Sequence, residues 1–315
     1  VPQVSDPLFY VYAYACGGSL IHPRVVLTAA HCLAGMDRLA FVGVRALINA
    51  YQLDGIDEKD NGIVVRSVQD FFPHPANAGG FSHDYALLVL DEAVEGVRPV
   101  ALYNPSNDID FERVTAIGLG STDPMGNRTD RNLTLQEVEV PTVSNEFCAA
   151  VYGDALFDED TMVCAGEPGK DTCRGDSGGP LLLPGNDQND HQDVQVGVTS
   201  FGGPVCGGAP GVYATVNDDF RLWVANVVCG NSELMESDTT GLCARTTSNT
   251  NAPIAPRTIT IPSPTTLQPT TPSPTTLQPS LHPTSLQPTY SPTTLQPSMH
   301  PTTLVTTSAP TPMAS

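Results

Sequence analysis

Short apolar and β-branched runs recur along the first 230 residues, each closed by Gly, Pro, Asn or Asp. "FYVYAYA", "RVVLTA", "LAFVGVRAL", "GIVVRSV", "DYALLVL", "RVTAIGLG", "LQEVEVP", "PLLLP", "VQVGVTSF" and "GVYATV" have the length and residue preference of strands. One segment breaks the pattern: "NDDFRLWVANVV" spaces its apolar residues for a helix, with Asn217 or Asp218 as N-cap. Many strands and one late helix predict an all-β barrel or sandwich.

The carboxyl end follows another rule. "SPTTLQP" recurs at Ser263, Ser273 and Ser291, with "PTSLQP" from Pro283, a period of about nine to ten residues. Proline removes backbone donors and Ser and Thr bring little apolar area, so this segment cannot build a core. It reads as a mucin-like, O-glycosylated stalk, either an inert disordered tail or a tether to a cell wall or matrix.

Charge sharpens the division. The net charge is −20, and from Thr246 onward there is no Asp or Glu and a single basic residue, Arg257. An acidic surface of this size disfavours nucleic acid as a partner and fits a secreted, soluble monomer. No apolar run is long enough to cross a bilayer. All eight cysteines lie at or before Cys243, and none forms a Cys-x-x-Cys pair, which favours disulfides in an oxidising compartment over zinc. Spacing alone leaves about 105 connectivities open. Asn127 and Asn132 head Asn-x-Thr triplets and are N-glycosylation candidates.

Three segments carry candidate chemistry. "LTAAHC" holds His31, "DYALLVL" opens on Asp84, and "CRGDSGGP" holds Ser177 between an acid and two glycines. A serine hydroxyl needs a base to attack at neutral pH, and the base needs an orienting acid. Singly, each residue has an ordinary reading as turn, surface or core. Together, in the order His, Asp, Ser, they resemble the signature blocks of the trypsin and chymotrypsin family of serine endopeptidases. "CGGSLI", "VTSFGG" and "PGVY" fall in that family's order as well, and the resemblance runs from about Leu8 to Cys229.

The resemblance implies two six-stranded antiparallel Greek-key β-barrels with a C-terminal helix, then the disordered tail. It divides the chain into a protease domain at 1–230, a disulfide-closed extension at 231–246 and the repeat tail at 247–315. Ser177 would be the nucleophile, His31 the general base and Asp84 its orienting acid, with Ser200 helping to hold Asp84. Gly175 and Ser177 would supply the oxyanion hole. Asp171, six residues before the nucleophile, would floor a pocket walled by Gly202 and Gly211, which implies protein or peptide substrates cleaved after Arg or Lys. Arg174 would sit at the pocket rim. The implied bridges are Cys16 to Cys32, Cys148 to Cys164 and Cys173 to Cys206, leaving Cys229 with Cys243. No cofactor and no metal ion belong to this reading.

Departures from the family pattern bear on activity. No Ile-Val-Gly-Gly-type segment precedes Cys16, so Asp176, the family's activation latch, lacks its amine partner and the chain as given is expected to be zymogen-like, with the missing segment and a signal peptide lying upstream. Phe201 replaces a tryptophan, and Val25 another. The loop holding Asp54, Asp57, Glu58 and Asp60 is read as solvated acid, since its spacing does not match a calcium site. The competing function is a catalytically silent homologue acting as a binding or matrix-attached module.

Overall fold

The computed structural model describes residues 16–36, 43–52, 62–104, 113–126, 134–185 and 192–243. The chain divides into a unit spanning Val1–Ile254 and a second, Ala255–Ser315, that lies wholly outside the described residues. Asn127, Asn132, the acidic loop at 54–60 and the repeat tail also lie outside them.

The described chain is mostly β. The first sheet has five strands: β1 (Ser19–His22), β2 (Val25–Thr28), β3 (Arg45–Ile48), β4 (Val64–Pro73) and β5 (Ala86–Leu90), in the order β1-β2-β5-β4-β3. The second holds β6 (Ala101–Leu102), β7 (Arg113–Gly118), β8 (Gln136–Val143), β9 (Met162–Ala165), β10 (Pro180–Leu183), β11 (Val194–Phe201) and β12 (Gly211–Thr215). Its order is β10-β7-β8-β9-β12-β11-β6, and β10 pairs back onto β11. That last pairing closes six strands into a barrel, which removes its free edges. The first sheet is a curled half-barrel. The expected pair of six-stranded barrels is therefore one closed barrel and one five-stranded sheet among the described residues. "FYVYAYA" and the start of "LAFVGVRAL" fall outside them.

Burial explains the pattern of the central strands. In β5 every residue is buried: Leu87 and Val89 join one cluster, while Ala86, Leu88 and Leu90 join another. Both faces are covered, so the strand reads as a continuous apolar run instead of an alternation. The first cluster also takes Ile21, Val25, Leu27, Val198 and Phe220, tying the two sheets and the late helix into one core. Each such side chain stabilises the fold by about 1.5–3 kcal/mol when fully buried.

The late helix is α2, Asp218–Cys229, and Asn217 is its N-cap, accepting from the Phe220 N–H at 2.9 Å. A single helix was too few. Helix α1 (Asn145–Tyr152) starts at Ser144, whose Oγ accepts from Phe147 N–H, and a short α3 (Ser232–Glu236) follows α2. Both are brief and α1 leaves Phe147 and Val151 exposed, so neither writes a clear apolar stripe.

All eight cysteines are paired, as Cys16–Cys32, Cys148–Cys164, Cys173–Cys206 and Cys229–Cys243. Four disulfides mark a protein that matures in an oxidising compartment.

Candidate active site

Strand β2 ends at Thr28 and the chain turns into a 3-10 segment, Ala30–Leu33, so His31 stands in a helical turn just beyond the strand. Asp84 enters from the other side, ahead of β5. The residue before it, His83, has φ of 52°, and Tyr85 N–H donates back to His83 O at 2.7 Å. That tight turn points the Asp84 carboxylate into the interior, where the residue is 0% exposed.

The carboxylate is held by three donors. His31 Nδ1–H donates to Oδ2 at 2.7 Å, His31 N–H donates to Oδ1 at 2.8 Å, and Ser200 Oγ–H donates to Oδ2 at 2.5 Å. An ionised carboxylate only accepts, so the imidazole proton sits on Nδ1 and the Nε2 lone pair remains available.

Ser177 lies on the loop between Cys173 and β10. The loop is tied by Asp176 N–H to Cys173 O at 3.0 Å and Gly179 N–H to Asp176 O at 2.8 Å. Gly175 and Gly178 have φ of 106° and 80°, which an L side chain at either position would strain. The Ser177 carbonyl accepts from Gly17 N–H at 2.8 Å. Gly17 adjoins Cys16, whose disulfide reaches Cys32, the neighbour of His31. One covalent staple therefore links the segment holding the serine loop to the turn holding the histidine.

Asp171 sits beneath this loop, and burial pushes its carboxyl up from 3.8 to about 6, against the pull of hydrogen bonds from the Gly207 and Thr172 N–H groups. A Cβ on Gly211 would stand 2.5 Å from Asp171 Oδ1, whereas one on Gly202 would clear Oδ2 at 3.7 Å. Gly211 is thus needed for room beside the carboxylate. Phe201 packs between Phe81 and Tyr152, with ring centroids 4.4 and 5.4 Å away. Arg174 is exposed, its side chain lying against Gly126.

Asp176 is held by backbone donors of its own. Its Oδ1 accepts from Gly120 N–H and its Oδ2 from Cys173 N–H, both at 2.8 Å, and burial raises its pKa. Gly118 and Gly120 form its cradle: a Cβ there would fall 1.9 and 2.5 Å from Oδ1. The site reading from sequence did not include these two glycines; their only signal was the Gly-Leu-Gly at the end of "RVTAIGLG". A cavity of about 240 Å³ reaches both Asp171 and Asp176.

The trypsin family model matches residues 3–224. The chain is 34% identical over 232 residues to phenoloxidase-activating factor 1 of Holotrichia diomphalia, covering 67% of this chain and 61% of that protein. It is 39% identical over 225 residues to the venom serine protease Bi-VSP of Bombus ignitus, covering 66% and 59%. With trypsin alpha of Drosophila melanogaster it shares 34% over 222 residues, covering 68% and 78%. The chain thus spans about three fifths of the length of the first two relatives. A match over most of the described fold, together with a histidine, aspartate and serine carried on the elements above, establishes that the chain belongs to the trypsin family of serine proteases.

Proposed function

We propose that the chain is a secreted serine endopeptidase that hydrolyses peptide bonds through an acyl-enzyme and cleaves after Arg or Lys. The observation that carries this reading is the Asp84 carboxylate, fully buried, with His31 and Ser200 both bonded to it. Nothing is gained structurally by burying an acid to orient a half-exposed histidine unless that histidine has work to do.

In the proposed cycle Ser177 Oγ attacks the scissile carbonyl as His31 Nε2 takes its proton. The tetrahedral oxyanion is met by the N–H groups of Gly175 and Ser177, each donor contributing about 2.7–4 kcal/mol in the transition state. His31 then delivers the proton to the leaving amine, and water repeats the steps on the ester. Asp84 keeps the ring in one tautomer and stabilises the imidazolium.

Asp171 supports the choice of substrate. A half-buried carboxylate with a raised pKa has lost solvation that a guanidinium or ammonium would restore, and Gly202 and Gly211 leave room for a long side chain. Asp176 is assigned as the latch for a mature amino-terminal amine. Its carboxylate is bonded by the Gly120 and Cys173 N–H groups and borders the cavity that also reaches Asp171. On this assignment the chain is zymogen-like until an amine is seated. The extension at 231–246 and the tail at 247–315 are assigned as a stapled cap and a wall or matrix tether, with Asn127 and Asn132 glycosylated.

The test is hydrolysis of matched Arg, Lys and Phe peptides by the full chain after activation, beside a Ser177→Ala control. Cleavage after Arg and Lys that vanishes in the control supports the reading. Activity that survives Ser177→Ala overturns it, a Phe preference overturns the role of Asp171, and inactivity with a seated amine leaves the binding-module function in its place.

A further inference from the structure

Next to the Asp84 turn, three side chains meet that the peptidase reading does not use. His74, buried at 5% exposure, follows β4 directly; His83 precedes Asp84; Asp219 lies in the first turn of α2. His74 Nε2 and His83 Nε2 stand 3.6 and 3.7 Å from the same oxygen, Asp219 Oδ2. The three ligand atoms lie within 4.8 Å of one another. Two ligands of a tetrahedral ion with bonds of about 2.0–2.1 Å are about 3.3 Å apart. The two histidine-to-carboxylate separations are already close to that size.

We propose that His74, His83 and Asp219 bind one divalent transition-metal ion of the zinc class, pinning the turn that carries Asp84 to the start of α2.

The hydrogen bonds around His83 support it most directly. Ser82 Oγ–H donates to Asp158 Oδ2 at 3.0 Å, so at the 2.9 Å contact between Ser82 Oγ and His83 Nδ1 the ring must be the donor. That fixes the Nδ1–H tautomer and leaves the Nε2 lone pair facing a carboxylate oxygen. Acceptor against acceptor calls for a donor or a cation between them, a bridging water, a proton or a metal. The outer bond from a metal-ligating histidine to Ser82 and on to Asp158 is also the arrangement that orients such ligands. Two imidazoles and one carboxylate, with the Asp219 side chain 65% exposed and open to water, make an N/O donor set suited to zinc.

His74 carries the cost. Its Nδ1 accepts from Ala76 N–H at 3.3 Å, so binding at Nε2 moves the ring proton to Nδ1 and gives up that long bond. The two rings lie nearly parallel, 14° apart with centroids 4.7 Å apart, so one must also turn for both lone pairs to converge. Burial and the neighbouring His83 lower the pKa of His74, favouring the neutral ring that a metal requires.

The test uses the full chain, free of any added histidine tag and stripped with EDTA, titrated with Zn²⁺ by calorimetry and with Co²⁺ by visible absorption. The expected result is one equivalent bound, cobalt bands of a four- or five-coordinate site, and a raised Tm with zinc. Asp219→Asn and His83→Gln should each weaken binding by at least about tenfold and remove the cobalt bands. Asp219→Asn alters an exposed carboxylate, so its fold is retained. Absence of stoichiometric binding, or equal affinity in both variants, overturns the proposal. The readout needs no peptidase activity, and repeating it on Ser177→Ala separates this site from the fate of the proposed reaction.

Discussion

His31 and Asp84 are joined twice, through the ring at 2.7 Å and through the His31 backbone N–H at 2.8 Å. The backbone bond fixes where the carboxylate stands and the ring bond fixes which nitrogen holds the proton. Asp84→Asn keeps the volume and can keep one of the two contacts, so the fold should survive while the tautomer is lost. The expected outcome is a fall in kcat of roughly 10⁴-fold, the family precedent for this substitution, with little change in KM. Steady-state kinetics on an Arg peptide, beside a thermal melt showing a folded variant, checks it.

Ser200 tests the same carboxylate from the other side. Its hydroxyl is buried and donates to Asp84 Oδ2. Ser200→Ala removes a donor from a buried anion without relieving the burial, at a cost of about 1–3 kcal/mol. Urea denaturation at neutral pH should show that loss, together with a drop in kcat smaller than that of Asp84→Asn. A variant as stable as the parent would mean that the hydroxyl contributes nothing.

If Asp171 floors the substrate pocket as proposed, stability and binding should depend on pH in opposite directions. Its folded pKa, about 6, lies above the ordinary 3.8, so between those values the folded chain holds a proton that the unfolded chain releases. The group's contribution therefore weakens the fold as pH rises from about 4 to 6, by roughly 1–3 kcal/mol at the upper end, allowing for partial solvent screening. Asp171→Asn should be more stable than the parent at pH 7 and match it below pH 4. An arginine-mimicking amidine should behave oppositely, binding more weakly as pH falls below about 6 and displacing a proton when it binds at pH 5. Denaturation midpoints and calorimetry in buffers of different ionisation enthalpy read both effects.

Much of the candidate site is local in sequence, which is why a reading of it could be made there. His31, Asp84 and Ser177 each sit in a short string whose neighbours do identifiable jobs, such as Gly175 and Gly178 at positive φ. The helix start at Asn217 or Asp218 and the strands β7, β8, β10, β11 and β12 announce themselves through turn residues and β-branched runs, whereas the short β9 does not. The rest depends on contacts that spacing does not encode. Gly118 and Gly120 matter because Asp176, more than 50 residues away, rests against them. The convergence of His74, His83 and Asp219 needs β4, the Asp84 turn and α2 to be packed first. The five-stranded half-barrel likewise turns on which strands close, and pairing register is a property of the sheet.

The Asp176 cradle yields the sharpest steric prediction. A Cβ on Gly118 would lie 1.9 Å from Asp176 Oδ1 and 2.8 Å from its Cγ, so Gly118→Ala cannot be accommodated by a small shift of a chain end. The carboxylate must leave its position, and with it the bond from Gly120 N–H that sets the loop between Cys173 and Ser177. Overpacking of this kind costs about 1–3 kcal/mol, less than a domain's total stability, so the chain should still fold. Its effect should fall on catalysis, because the displaced residue adjoins the nucleophile and both proposed oxyanion donors. The expected result is a kcat reduced by about 10²-fold or more, the scale of losing one oxyanion donor, with disulfides and secondary structure intact. A Gly118→Ala protein with parental kcat and an unshifted melting curve would show that Asp176 does not hold the Ser177 loop.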